Sequence, residues 1–382
     1  MQKLPTTNYQ LSTQVIGIDA SRAFLKKRTG IEEYSYQVIQ HLREVIAPEM
    51  RVVLYVRKKL EIRNWKLEIR TPEIDFSLPE NWVVRGIWAP RFWTQIRLAI
   101  ELLLHPVDTF FVPAHTVPWI HPKRTVVTVH GLEYEFSPES YSWYERLYMR
   151  FSIRNSVRWA SRVIAVSENT KRDLVRLYSV PEEKIVVIYE GASQPTTYNL
   201  QPTTVSESPF FLFIGRVEER KNVGRIIAAF EIFKQKTGLP HKLVLVGKPG
   251  FGYEKISYKL QVTSYKQDII ELGYISEEEK WELLRKAEAL VFPSLYEGFG
   301  LPVIEAQMVR TPVITSTTSS LPEIAGEGAL LVDPLDVEAL AKALEKLITD
   351  PKLRAGIIIE ATRNVDRFSW AYCAQEVGLL LS

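Results

Sequence analysis

Short, wholly apolar runs alternate with amphipathic stretches of helical length along almost the whole chain. Val15–Asp19, Val52–Val56, Thr109–Val112, Thr125–Val129, Val163–Val166 and Ile185–Ile188 read as buried strands. Between them, Ile31–Val45, Ile96–Leu104, Trp143–Ala160 and Thr170–Tyr178 read as helices, the last behind an N-cap at Ser167. Residues 57–95 carry scattered Pro and Trp and read as irregular. Apolar strands that alternate with helices imply a parallel sheet covered on both faces. The pattern then restarts. Phe210–Ile214, Leu243–Val246, Ile269–Leu272, Ala289–Phe292, Val313–Thr315 and Ala329–Val332 read as strands. The helices among them are Gly224–Gln235, Glu277–Ala287, Pro302–Val309 and Val337–Ile348. The fold class is therefore α/β, with two doubly wound Rossmann-like domains.

Ser193–Pro209, rich in Ser, Thr, Gln and Pro, separates the two series and reads as a linker. The expected domains are 1–195 and 206–367, with a terminal helix, about 368–382, packing back on the first. A length of 382 residues suits two domains of ordinary size. Residues 1–195 hold 27 basic and 21 acidic side chains, and the remainder 21 and 24, so the halves carry +6 and −3. Seven of the nine tryptophans lie in the first part. No run approaches the roughly 18 apolar residues of a membrane span. Met1–Ser12 lacks the apolar core of a signal peptide. The single cysteine, Cys373, excludes an intrachain disulfide and suits a reducing compartment.

In doubly wound sheets ligands sit beyond the carboxyl ends of the strands, so strand-to-helix loops hold the candidates. One loop, Gly215–Asn222, carries Arg216 and Lys221 ahead of a helix. It reads either as a solvated charged loop or as a metal-free diphosphate site. A second loop, "PSLYEGFGLPVIEA", is more specific. Gly298 and Gly300 permit close backbone approach, Pro302 suits a helix start, and Glu297 and Glu305 bracket that start, with Glu305 expected in the first turn. Loop amides at a helix N-terminus favour an anion, and carboxylates beside it accept hydrogen bonds from sugar hydroxyls.

Glu297-x7-Glu305 within that motif, with "GRVEERKN" upstream, resembles the donor site of retaining glycosyltransferases of the GT-B fold, glycosyltransferase family 4. The resemblance covers most of the chain, including "TVVTVHGLEYEFSPESYSWYERLYMR", "ASRVIAVSENTKRDLVRLYSVPEEKIVVIYEG" and "TPVITSTTSSLPEIAGEGALLVDPLDVEALAKAL". It implies two Rossmann-like domains facing a central cleft. It implies that Arg216 and Lys221 hold the donor diphosphate, Glu297 meets the transferred sugar and Glu305 grips the ribose. By the same resemblance the backbone of Gly298, Phe299, Gly300 and Leu301 contacts sugar and phosphate. Tyr274 and Ile275 mark the base. His130 of "TVHG" matches the active-site histidine, and Gly30 the glycine that lets donor and acceptor approach. The catalytic set is then His130, Arg216, Lys221 and Glu297.

The chain departs from the family in two places. Gly131 stands where Asp often follows the histidine, with Glu133 two residues on, and Glu32 lies where a small residue is common. Asp19 either accepts hydrogen bonds from its own loop or touches the acceptor. His115 is a weaker acceptor candidate, and His41, His105, His121 and His241 read as structural. No Asp-x-Asp pair is placed for a divalent ion, so neither metal nor cofactor is expected. The expected activity is retaining transfer from a nucleotide sugar to a glycan or lipid-linked hydroxyl. The segment around "VHGLEYEFSPE" looks most like the mannosyltransferase branch, so GDP-mannose leads. The alternatives are a UDP-glucose-type donor, or a non-catalytic or epimerase-like nucleotide-sugar-binding protein. A nucleic-acid partner is not expected. The expected place is the cytoplasm, with peripheral contact to an anionic membrane through Arg57-Lys58-Lys59 and Trp88–Trp93.

Overall fold

A computed structural model describes residues 14–25, 28–63, 66–89, 92–192 and 208–382. Most of the expected linker, 193–207, lies outside the described residues, as do Met1–Ser12, Trp65, Pro90 and Arg91. The first sheet contains β1 Val15–Asp19, β2 Arg51–Arg63, β3 Lys66–Arg70, β4 Trp82–Trp88, β5 Thr109–Val112, β6 Arg124–Val129, β7 Arg162–Ala165 and β8 Ile185–Val187. Its order is β3-β2-β1-β5-β6-β7-β8, with β4 pairing β2. β1 runs parallel to both β2 and β5, as do β4 to β2 and β6 to β5, whereas the β2–β3 ribbon is antiparallel. Residues 57–95 are thus more regular than expected. β2 continues to Arg63, and β3 and β4 follow. β4 was not legible because Arg85 and Gly86 break its apolar residues into short pieces, and Val83, Val84 and Arg85 are all exposed. The helix expected at Ile96–Leu104 opens as a π-helical turn, Trp93–Leu98, and becomes α-helical only from Ala99 to Leu104.

The second sheet contains β9 Phe210–Ile214, β10 Lys242–Val246, β11 Ile269–Gly273, β12 Ala289–Phe292, β13 Val313–Ser316 and β14 Leu330–Val332. All its pairings are parallel, in the order β11-β10-β9-β12-β13-β14. Every residue of β9 and β12 is buried, as befits central parallel strands covered on both faces. Phe211, Phe213, Phe230, Phe233, Phe292 and Trp281 form the bulk of the core around them. Strand order reverses between β9 and β12, so the loops leaving these two strands flank the topological switch point. A helix not expected from the sequence, Tyr253–Val262, lies between β10 and β11.

The chain forms two compact units. One comprises Met1–Thr128, Ser152–Val163 and Ala374–Ser382; the other comprises Val129–Phe151 and Ile164–Cys373. Within the first, the end of the terminal helix Trp370–Leu381 meets the helix Gly30–Val45: a Cβ on Gly378 would lie 2.5 Å from Val45 Cγ1. Arg124 donates to the Ser382 carbonyl at 2.5 Å. No helix among the described residues is long and apolar enough to cross a membrane.

Candidate active site

The two switch-point loops are bound to each other. The Leu295 N–H donates to the Arg220 carbonyl at 2.9 Å, and Arg220 Nη1 donates to the Tyr296 carbonyl at 2.7 Å. Asn222 Nδ2 donates to the Pro293 and Pro334 carbonyls at 3.0 and 2.6 Å. Lys221 Nζ thereby reaches Glu297 Oε1 at 2.5 Å, and Arg220 Nη1 lies 3.5 Å from the same oxygen. Glu297 is buried. Burial alone raises a carboxyl pKa, but Lys221 and Arg220 together hold Glu297 below the ordinary glutamate range. For Lys221 burial prevails over the Glu297 and Glu218 carboxylates and, with the neighbouring Arg220 cation, lowers its pKa. For Arg220, burial opposes the charge, yet Glu297, Glu133 and Glu218 hold it above the ordinary arginine range.

Arg216, expected to share the diphosphate with Lys221, is exposed and makes no ion pair among the described residues. Glu297 therefore brings together Lys221 and Arg220, and Arg220 was not legible in the sequence. Three basic residues in one short loop cannot be ranked by spacing. The short 3-10 turn Glu219–Lys221, closed by Asn222 at φ 65°, decides which of them face inward.

The glycine-rich loop is held as tightly. Ser320 Oγ donates to the Glu297 and Phe299 carbonyls at 3.0 and 2.6 Å. Ser167 and Thr170 hydroxyls donate to the Gly298 carbonyl at 2.6 and 3.2 Å. Phe299 is buried with Val166, Ile304, Ile324 and Phe368. Gly300 has φ 120° and opens the helix Leu301–Met308. Glu305 lies beyond the first turn of that helix rather than within it, so a simple helix-dipole role does not apply. Its carboxylate accepts from Lys280 Nζ at 2.8 Å, and each side chain is 14% exposed. Burial works against the Lys280 charge, but Glu305 and Glu277 raise its pKa above the usual lysine range. Tyr274 follows β11, half exposed, with Lys248 Nζ 5.0 Å from its ring centre. Ile275 packs partly buried against the core.

His130 follows β6 directly and is buried, with Nδ1 3.0 Å from the buried Glu190 Oε1. A ring nitrogen held this way fixes the orientation of the imidazole. Glu190, sixty positions away in sequence, was not legible as its partner. Gly131 has φ 153°, and a Cβ there would lie 3.0 Å from both Gly298 Cα and Glu133 Oε1. The Glu133 carboxylate thus lies against the space that a side chain at position 131 would enter. Tyr296 completes this wall. Its hydroxyl donates to Asp173 Oδ2 at 2.9 Å and accepts the Leu132 N–H at 3.2 Å, and its ring stacks on Phe136 at 4.1 Å.

In the first unit, Gly30 begins the helix Gly30–Val45, and no described residue lies within 4 Å of a Cβ placed on it. Glu32 is the N3 member of a capping box with Thr29 and pairs with Arg22 at 2.9 Å. Asp19 accepts the Ser21 N–H at 3.0 Å, the loop-holding alternative, and burial raises its pKa. His115 lies half-buried in the loop after β5.

Known proteins resemble the chain along most of its length. The "Glycosyltransferase Family 4" pattern matches residues 28–193, and "Glycosyl transferases group 1" matches residues 199–364. O-antigen chain mannosyltransferase B of Escherichia coli is 28% identical over 262 residues, 66% of this chain and 69% of that protein. O-antigen chain mannosyltransferase RfbU of Salmonella typhimurium is 25% identical over 324 residues, covering 84% and 88%. The solved sucrose-phosphate synthase of Thermosynechococcus elongatus superposes with a TM-score of 0.74 at 21% identity, over 96% of this chain and 98% of that one. Two matched halves and a switch point flanked by the Glu297 and Lys221 loops lead to one conclusion: this chain is a glycosyltransferase of the GT-B fold and belongs to glycosyltransferase family 4.

Proposed function

We propose that the protein transfers mannose from GDP-mannose to a hydroxyl of a glycan or lipid-linked acceptor, with retention of anomeric configuration and without a metal. The observation that carries the reading is the buried Glu297 carboxylate shared by Lys221 and Arg220 at the switch point. Both named mannosyltransferase relatives support the choice of sugar.

In the reaction the bond from the sugar C1 to the diphosphate oxygen breaks, and the acceptor oxygen bonds to C1 on the same face. Negative charge develops on the leaving diphosphate. Arg216, Lys221 and the amides of Gly298–Leu301 stabilise it, and preorganised donors act strongly where water is excluded. Glu297 orients the sugar hydroxyls and keeps the Lys221 ammonium in place. Glu305 accepts from the ribose hydroxyls, with Tyr274 and Ile275 beside the base. His130 meets the sugar while Glu190 fixes its ring. Gly30 leaves room for the acceptor and the diphosphate. The leaving phosphate accepts the acceptor proton, since no residue of the set is placed as a separate base.

A panel of nucleotide sugars, with and without EDTA, tests the reading by thermal shift and product release. GDP-mannose should give the largest shift and EDTA should leave turnover unchanged. Turnover with UDP-glucose alone would replace the donor, and binding without transfer to any acceptor would favour a non-catalytic binder. NMR of the product should show the donor's anomeric configuration.

A further inference from the structure

A cavity of about 390 Å³ lies within the second unit, between the helix Glu168–Tyr178 and the loops that carry Tyr296 and Ser319. That volume falls at the lower end of small-molecule sites, about 300–1,000 Å³. Asn169, Arg172 and Arg176 recur at spacings of three and four, so one side of the helix carries all three toward the cavity. Another wall is aromatic. Tyr296 stacks on Phe136 at 4.1 Å, yet Phe136 stays 39% exposed.

The polar groups of the cavity are unequally engaged. Buried Asp173 accepts from Tyr296 Oη at 2.9 Å, Asn169 Nδ2 at 3.1 Å and Arg176 Nη2 at 2.8 Å. Its carboxylate is thus occupied, whereas Arg176 has used one of its five N–H donors. Arg172 is exposed and makes neither hydrogen bond nor ion pair among the described residues. Ser319 Oγ accepts the Glu297 N–H at 3.0 Å, so its own O–H is left to donate. Two guanidinium charges against one carboxylate leave the cavity one net positive charge.

Exposed arginines alone would be a solvated helix face. Here they rim a cavity with a hydroxyl donor and an exposed ring, and guanidinium forks match carboxylate and phosphate. We infer that the cavity is a second ligand site, for a sugar unit bearing a carboxylate or a phosphate, free or within a glycan. Phe136 meets the apolar face of the sugar ring, while Arg172, Arg176 and the Ser319 hydroxyl hold the anion. The site adjoins the Glu297 loop without using Lys221 or Glu305. The inference is independent of the donor assignment, because its test reads binding at Arg172 and not turnover.

The test is calorimetric titration of the full chain with glucose 6-phosphate, galacturonate, trigalacturonate and neutral galactose. The charged sugars should bind, and galactose more than about tenfold more weakly. Trigalacturonate bound more tightly than galacturonate identifies a glycan chain as the source, and equal affinities identify a free sugar. Arg172→Glu should weaken the charged ligands more than about tenfold, and Phe136→Leu should weaken them severalfold. Lys221→Ala should leave their affinity unchanged. Thermal melting checks that each variant is folded, and Arg172→Glu, at an exposed position, carries the test if another is not. No binding of any charged sugar, or equal affinity for galactose, would overturn the inference. So would binding that Lys221→Ala abolishes and Arg172→Glu spares, since the charged sugar would then occupy the donor site.

Discussion

Gly298 lies directly against the backbone of His130: a Cβ built on the glycine would fall 1.5 Å from the His130 carbonyl oxygen. A backbone oxygen cannot swing aside as a side chain can. Gly298→Ala must therefore move the donor loop away from His130. Overpacking of this kind costs about 1–3 kcal/mol, and a rigid backbone neighbour puts the expected value at the upper end. Thermal unfolding and kcat/KM should fall together.

Glu190→Gln keeps the shape of the His130 partner but removes its charge. The ring then loses the carboxylate that orients it. The expected result is a fall in kcat of about tenfold or more, with donor KM and melting temperature little changed. A purely structural role for Glu190 would show the opposite split, with lost stability and an unchanged kcat for the folded fraction.

Glu297 makes stability depend on acid. Burial pushes its pKa up, but Lys221 and Arg220 overcome this and hold it below the ordinary glutamate value of 4.5. A carboxyl depressed on folding contributes stability above its unfolded pKa, and this is lost as pH falls through the folded value. Melting temperatures should therefore drop as pH falls below about 4.5. The Glu297→Gln variant should start less stable at neutral pH and show a flatter acid limb.

Lys280→Met leaves the Glu305 carboxylate largely buried without its cation. Breaking such a pair costs about 3–5 kcal/mol, measurable by denaturant titration. Donor affinity should also weaken, because Lys280 holds Glu305 in the position assigned to the ribose. Glu305→Ala should weaken donor affinity further, with a smaller loss of stability.

The fold was legible where burial makes it so. Phe210–Ile214 and Ala289–Phe292 are apolar throughout because parallel central strands meet helices on both sides. Trp82–Trp88 was not, because most of its residues face water. The Glu297 and Gly298 loop was legible because Gly298, Gly300 and Pro302 mark a turn from a buried strand into a helix. Arg220 and Glu190 were not, since their importance arises from tertiary contacts at 76 and 60 positions' separation. At Gly131 the sequence suggests a missing charge; the backbone at φ 153° and the adjacent Glu133 give the glycine a steric reason instead.

The helix Glu168–Tyr178 receives part of its N-terminal cap from far downstream. Its Glu168 and Asn169 N–H groups donate to Glu323 at 2.7 and 3.1 Å, across 155 and 154 positions. During synthesis this helix is made roughly 7–30 s before Glu323 is added. For that interval two amides can be satisfied only by water. The helix therefore waits on the second series of strands for its last hydrogen bonds, and a nascent chain stalled before residue 323 would hold its own N-terminal half in an unfinished state.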